Sequence, residues 1–180
     1  YKNFLRMLSN PLPEMREYFD KELDYLSRLV TPMSKVMDVG AGPGRLMMRL
    51  GAKPVQQIDG VESDPRMIGA GEQLLHGMNI NYRYIPEDFF YVKANRDYDL
   101  VFASYNFPGA DDIHPEERMN LLKHMVACTR PGGSTVVSFW KTTDEVWLRK
   151  YYKDAGAKIE KIEGNIVRTN VGTFTRFTDE

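Results

Sequence analysis

Asp38, Gly40, Gly42 and Gly44, with Glu62 and Asp88 further along, are the residues whose types and spacing could do chemistry. The first four lie in Val36-Met37-Asp38-Val39-Gly40-Ala41-Gly42-Pro43-Gly44-Arg45-Leu46. A short apolar run holding one acid reads as a buried strand. It breaks into a glycine-rich bend, and Leu46, Met47, Met48 and Leu50 then open a helical pattern. Strand, tight turn and helix begin a nucleotide-type βαβ unit, in which a ligand rests against the turn. Gly40 and Gly42 carry no Cβ, so the backbone can bend sharply there and come close to a ligand. The spacing is G-x-G-x-G, not the G-x-G-x-x-G of a pyrophosphate loop. A carboxylate just ahead of the first glycine would repel phosphates and suit a cationic ligand.

Glu62 stands 22 residues after Gly40. This is close to the offset of about 20 at which an acid ending the second strand meets a ribose diol. The chemistry asks for that type, because one carboxylate can accept from two adjacent hydroxyls. Asp59 competes for the role but falls inside the expected strand. Asp64-Pro65 reads as the cap and first residue of the next helix.

The acid-x-G-x-G-x-G pattern resembles the first motif of class I S-adenosylmethionine (SAM)-dependent methyltransferases, whose cofactor carries an ammonium and a sulfonium and no phosphate. Ile58-Asp59-Gly60-Val61-Glu62-Ser63-Asp64-Pro65 resembles the second motif, with Glu62 as its acid. The resemblance covers residues 35 to 140. It implies SAM as cofactor, with Asp38, Gly40, Ala41, Gly42 and Gly44 around its loop and Glu62 on the ribose. It also implies Ser63 beside the adenine, Asp88 accepting from the adenine amino group, and the backbone N–H of Phe89 reaching a ring nitrogen. A leading helical segment, residues 1–34, would partly cover the cofactor, with Tyr18 and Tyr25 either lining that cover or simply packing.

Methyl transfer from SAM is an in-line displacement that depends on positioning, and a general base is needed only when the nucleophile arrives protonated. Ser104 ends the fourth strand, where ligands bind in open α/β sheets. Tyr105, Asn106 and Trp140 are candidate pocket residues nearby. Asp111, Asp112 and His114 follow in the same loop, although His114 can equally mark the helix entry at Pro115. Asn106-Phe107-Pro108 does not match the acid-or-Asn-Pro-Pro-aromatic order of DNA amino-methyltransferases. The alternatives are a SAM-binding module without catalysis, a nicotinamide-dependent oxidoreductase on a related fold, and an aminopropyl transferase. The last expects acids where Ser104-Tyr105-Asn106 stands.

These residues need elements to hold them. Met15, Phe19, Leu23, Leu26 and Val30 predict a helix over 13–30, and strands follow at 35–39, 55–62, 81–85 and 98–104. Helices are expected at 43–50, closed by Gly51, at 65–76, and from Pro115 with Met119, Leu122 and Val126 as its buried stripe. Arg130-Pro131-Gly132-Gly133 should turn into a strand over 134–140, and a helix should span 143–155. Residues 158–177 have two readings. They are either the sheet's sixth and seventh strands or an inserted hairpin turning at Gly164-Asn165, and the hairpin is preferred. The fold class is α/β, a doubly wound, mostly parallel sheet with helices on both faces. In the hairpin reading that fold lacks its C-terminal elements here.

The 180 residues fit one domain, 42% hydrophobic and 27% charged, with net charge −1 and pI about 6.4. No global basic field favours nucleic acid, so a small-molecule acceptor is expected. No apolar run approaches the ~20 residues that span a bilayer. The lone Cys128 fits a reducing, cytoplasmic setting and a core position. Three scattered histidines give no metal-ligand spacing, so no metal is expected.

Overall fold

A computed structural model describes Leu5, Leu8 and residues 10–105, 115–139, 144–170 and 172–176. Strands β1 (Lys35–Val39), β2 (Gln57–Val61), β3 (Tyr82–Ile85), β4 (Tyr98–Ala103) and β5 (Thr129–Val137) form one sheet in the order β3-β2-β1-β4-β5. Every neighbouring pair in it is parallel. The chain runs outward from β1 to β3, then returns to the other side of β1 for β4 and β5. The reversal therefore lies between β1 and β4, where Asp38 is in register with Phe102. In open α/β sheets that is where a ligand crevice opens, beyond the carboxyl ends of the strands.

Side chains alternate across the sheet, as the two-residue period of a strand requires. Met37 and Val39 of β1, with Val101 and Ala103 of β4, face one core. Val36, Leu100 and Phe102 face the other. The second core is covered by α1 (Pro13–Ser27), α2 (Arg45–Gly51) and α3 (Pro65–Leu75). The first is covered by α4 (Pro115–Cys128) and the turn at Phe89–Tyr91. Helices thus lie on both faces, as the sequence predicts.

Several boundaries differ from expectation for identifiable reasons. Helix α1 begins at Pro13 but ends at Ser27. Arg28 and Leu29 donate to Tyr25 and Leu26, an i→i−3 tightening, before Thr31-Pro32 disfavours helix altogether. Gly51 is the last residue of α2, and Ala52 follows it as the cap. In α4 the buried stripe is Leu121, Met125 and Cys128, while Met119 and Val126 are 57% and 60% exposed. Strand β5 starts directly after Cys128, so the helix must end with that residue against the sheet, and its phase follows. The expected turn at 130–133 is a bulge inside β5: Tyr98 faces Thr129 and Leu100 faces Ser134.

Beyond α5 (Glu145–Asp154), strands β6 (Ile159–Glu163), β7 (Ile166–Thr169) and β8 (Gly172–Thr175) form a separate antiparallel sheet. Glu163 pairs with Ile166 across Gly164-Asn165. The hairpin reading therefore holds, and the reading of these residues as strands of the main sheet is overturned. The small sheet and α5 pack on the start of α1 through Met15, Phe19, Leu148, Tyr151, Tyr152, Ile159 and Val167. Among the described residues, no helix is long and apolar enough to cross a membrane.

Candidate cofactor site at the carboxyl end of the sheet

Between β1 and α2 the chain passes through left-handed backbone at Gly40, Gly42 and Gly44, with φ of 70°, 54° and 75°. Side chains are strained there. At Gly44 space is limiting as well, since a Cβ would lie 2.5 Å from the Tyr84 hydroxyl. At Gly42 a Cβ would meet nothing within 4 Å; that residue faces open space. The loop is tied to β2 by its backbone, because the N–H groups of Gly40 and Ala41 both donate to the Val61 carbonyl at 3.0 Å.

Glu62, one residue beyond β2, closes the arrangement. Its Oε2 accepts from the Gly42 N–H at 2.9 Å and its Oε1 from the Asp64 N–H at 2.8 Å. The carboxylate thus sits where sequence analysis put it, with a second role that analysis did not foresee: it clamps the glycine loop to the end of β2. Each oxygen retains a further lone pair for a ligand hydroxyl. Asp64 caps α3 by accepting from the Arg66 N–H at 2.8 Å, as expected. Asp59 is buried in β2 and takes hydrogen bonds from Gln57, Arg83 and Tyr98, a structural assignment that removes it as Glu62's competitor.

Asp38 is 3% exposed. Burial pushes its carboxyl pKa well above the ordinary value, an effect opposed by the Arg45 guanidinium and reinforced by Glu22 and Glu62. A small cavity of about 60 Å³ brings Asp38, Gly40, Ala41 and Gly42 together with Ser104, Tyr105, Pro43, Arg45, Leu46 and Leu8. Four of the predicted loop residues and two of the predicted β4 residues therefore meet at one place. Ser63 is exposed beyond Glu62. Asp88 is exposed and caps the turn at Phe89–Tyr91, accepting from the Phe90 N–H at 2.9 Å. The Phe89 ring is buried, edge-on to His124, so only its backbone is available for the role the resemblance implies. Asn106, His114, Asp111, Asp112 and Trp140 lie outside the described residues. Burial pushes the Cys128 thiol up to about 11, which leaves it a core residue with no thiolate at neutral pH.

Three further elements shape the crevice. Tyr84 of β3 donates to the Gly42 carbonyl at 3.2 Å. Glu22 of α1 pairs with Arg45 at 2.6 Å, the two side chains being only 7% and 12% exposed. The signal for Glu22 was present in the sequence as an acid three residues after Phe19 and four before Leu26, on the buried side of an amphipathic helix. The third, Tyr105, was a candidate from its place after β4, and only its backbone conformation was not signalled. Tyr105 has φ 59°, a conformation costing a bulky residue roughly 1–2 kcal/mol. Its N–H donates to Ser138 Oγ at 2.8 Å, and its hydroxyl lies 2.7 Å from that of Tyr151 on α5. The Tyr18 hydroxyl lies 2.8 Å from Glu22 and 2.9 Å from Ser138. Tyr18 and Tyr25 both line a second cavity of about 370 Å³ between α1 and the ends of β4 and β5, and Ser104 borders both cavities.

Comparison with known proteins bears on the family and the fold. Residues 36–133 match the methyltransferase domain family. The carboxy-S-adenosyl-L-methionine synthase of Nautilia profundicola is 23% identical over 155 residues, which are 82% of this chain and 62% of that enzyme. The chain thus spans less than two thirds of that relative's length. A crystal structure of a Pyrococcus horikoshii protein superposes with TM-score 0.75 at 16% identity, covering 99% of this chain and 84% of that one. A SAM-bound amino pentose methyltransferase from Micromonospora echinaspora superposes at 0.60 and 18% identity, covering 91% and 77%. The fold, the glycine loop behind Asp38 and a family match across more than half of its residues establish that the chain belongs to the methyltransferase domain family.

Proposed function

We propose that the chain binds SAM at the end of its parallel sheet and transfers the methyl group to a small-molecule acceptor. The observation that carries this reading is the meeting of Asp38, Gly40 and Gly42 in one cavity, with Glu62 bonded to the Gly42 N–H at its edge. The residues suit the cofactor chemically. Asp38 and Glu62 supply negative charge for a ligand carrying two positive centres. Glu62 would hold the ribose hydroxyls, and Asp38 with the backbone of 40–42 would hold the amino-acid tail. Asp88, Ser63 and the backbone at Phe89 would border the adenine. When bound, SAM supplies an electrophilic methyl group and a neutral thioether leaving group. The chain's part is to hold donor and acceptor in line and exclude water, a contribution worth roughly 7–11 kcal/mol when geometry is well fixed.

On the acceptor side we assign Tyr105. It borders the glycine-loop cavity, and its hydroxyl meets Tyr151 of the cap formed by α5 and the small sheet. The acceptor would thus enter between the end of β4 and that cap, within a single SAM-binding domain. Balanced charge favours a small molecule over nucleic acid, and the single buried cysteine favours a cytoplasmic setting. Thermal melting with S-adenosylhomocysteine and with NAD in parallel tests the assignment. Stabilisation by S-adenosylhomocysteine is expected, whereas stabilisation by NAD alone would make the chain an oxidoreductase. Methyl-labelled SAM incubated with a metabolite extract then separates an enzyme, which labels a product, from a binding module, which does not.

A further inference from the structure

We propose that Tyr18 takes the proton of a hydroxyl-bearing acceptor and passes its own to Glu22, so that the methyl group is delivered to oxygen. The inference names the acceptor class of the methyl-transfer reading and rests on it. Tyr18, Glu22 and Ser138 all line the larger cavity. The Tyr18 hydroxyl lies 2.8 Å from Glu22 Oε1 and 2.9 Å from Ser138 Oγ. Its one proton cannot serve both. Glu22, the ion-pair partner of Arg45, can only accept, so Tyr18 donates to Glu22 and Ser138 donates to Tyr18. Ser138 has that proton to give, because its other bond, from the Tyr105 N–H at 2.8 Å, is one it accepts. A phenol oxygen accepts through two lone pairs, and Ser138 fills one. The other is left for a ligand. Burial and the Glu22 charge push the Tyr18 pKa above its ordinary value. The hydroxyl is therefore a relay at neutral pH and not a free base.

The pair stands at the seam of the two cavities. Ser104 borders both, Glu22 lines the larger and Arg45 the smaller, and Ser138 joins Tyr18 to Tyr105 of the smaller. Leu26, Phe102, Val136 and Val137 give the larger cavity an apolar wall. Both charged residues of its lining already have partners, Lys21 in Glu17 and Glu22 in Arg45. The cavity therefore suits an uncharged acceptor. Of the uncharged nucleophiles, an amine attacks without a base and a thiol is a weak donor. An alcohol or phenol both needs a base and can donate to Tyr18. As the new O–CH3 bond forms, the methyl–sulfur bond breaks and its electron pair stays on sulfur. The acceptor's proton moves to Tyr18 Oη and the Tyr18 proton to Glu22 Oε1. One positive charge on sulfur and one negative charge on Glu22 disappear together, so the net charge of the site is unchanged. Arg45 keeps its bond to Oε2.

The first measurement needs no turnover. In the S-adenosylhomocysteine complex with tyrosine labelled at Cζ, the carbon resonance that Tyr18→Phe abolishes should move in Glu22→Gln. Tyr18→Phe should bind S-adenosylhomocysteine as wild type does in calorimetry. Methyl-labelled SAM is then incubated with the intact chain and a metabolite extract, and the label should appear on oxygen in the carbon spectrum of the product. With the acceptor so found, the single-turnover rate of Tyr18→Phe should fall ~100-fold or more, the lower end of what general acid–base catalysis contributes. In mixtures of H2O and D2O the wild-type rate should follow a curve, as when two protons move together, and the variant's rate should not. Tyr18→Phe keeps the ring, so it decides the matter even where Glu22→Gln does not fold. A Tyr18 resonance unmoved in Glu22→Gln, label on nitrogen, carbon or sulfur, or a smaller loss in Tyr18→Phe would each overturn the inference. So would a chain that binds S-adenosylhomocysteine and labels nothing. Failure of the underlying SAM reading looks different, since wild type would then not bind S-adenosylhomocysteine at all.

Discussion

On one side of the crevice the glycine loop and the end of β2 present backbone. Amides of Gly40, Ala41 and Gly42 are tied to Val61 and Glu62, and the open face at Gly42 has no side chain to cross. On the other side Tyr18 and Ser138 line the larger cavity and Tyr105 the smaller one, with buried Tyr151 backing Tyr105 through its hydroxyl. The difference separates what is shared from what is particular. A wall of backbone reads a ligand common to many enzymes and tolerates little change. A wall of side chains can be re-cut for a particular acceptor. Changes on the first side should therefore cost cofactor affinity, and changes on the second should cost acceptor turnover.

Gly42→Val is the strongest way to break that comparison. The substitution puts a branched side chain into open space where the cofactor is proposed to lie, and into backbone at φ 54°. The strain alone is about 1–2 kcal/mol, a fall of several degrees in melting temperature for a domain of this size. Affinity for S-adenosylhomocysteine should fall far more, by ~100-fold or greater, because the obstruction is steric. A variant that melts lower yet binds normally would mean that the cofactor does not approach this loop.

Glu62→Ala comes next, with an expected loss of 1.5–3 kcal/mol in cofactor binding, the usual range (~) for hydrogen bonds to a charged group. Because Glu62 also holds the Gly42 and Asp64 N–H groups, part of this loss is loop disorder. Glu62→Gln sharpens the point. An amide can still accept through one oxygen, so it should bind between alanine and wild type. If alanine and glutamine variants both bind like wild type in calorimetry, Glu62 is only a loop clamp.

The same contrast explains what could be read in advance. The placement of Asp38, the glycines and Glu62 was legible because it depends on local spacing: a bend after a short strand, and an acid one crossover later. Phe89 was assigned to the site through its backbone, and its ring proved to be core, a fate that single-residue identity does not signal. The phase of α4 was missed because Leu121, Met125 and Cys128 repeat with the same helical period as Met119, Leu122 and Val126. Only the contact with β5 decides between them. Arg45, Tyr84 and Ser138 act through partners 23, 42 and 33 residues away in sequence, a relation that no local pattern carries.

Asp38→Asn separates charge from shape on the cofactor side. Burial raises the Asp38 pKa, so the folded chain holds that proton more tightly than the unfolded chain. Stability from this residue is therefore present below the unfolded value, about 4, and is lost as pH rises through the raised folded value. The asparagine variant should melt within a degree of wild type near pH 4 and a few degrees higher at pH 8, at roughly 2–4 °C per kcal/mol. It should nevertheless bind S-adenosylhomocysteine more weakly. A gap that does not change with pH would assign the difference to packing instead of the carboxylate.

Tyr151→Phe has the smallest expected effect and gives the cleanest reading of the second side. It removes one hydroxyl of the Tyr105–Tyr151 pair and leaves the stacked ring against Trp147. A single hydrogen bond is worth about 1 kcal/mol net, so the melting temperature should drop by roughly 2–4 °C. Tyr105 is held in its left-handed backbone by Ser138 at the N–H end and by Tyr151 at the hydroxyl end. Without that bond the ring loses one of its restraints, while its backbone and its packing against Phe19 stay in place. Cofactor affinity should then remain within about twofold of wild type, while kcat/KM for the acceptor falls ~5-fold, the equivalent of one such bond. An equal loss of cofactor affinity would show that the hydroxyl wall serves the cofactor too, and the division of labour between the two sides would not hold.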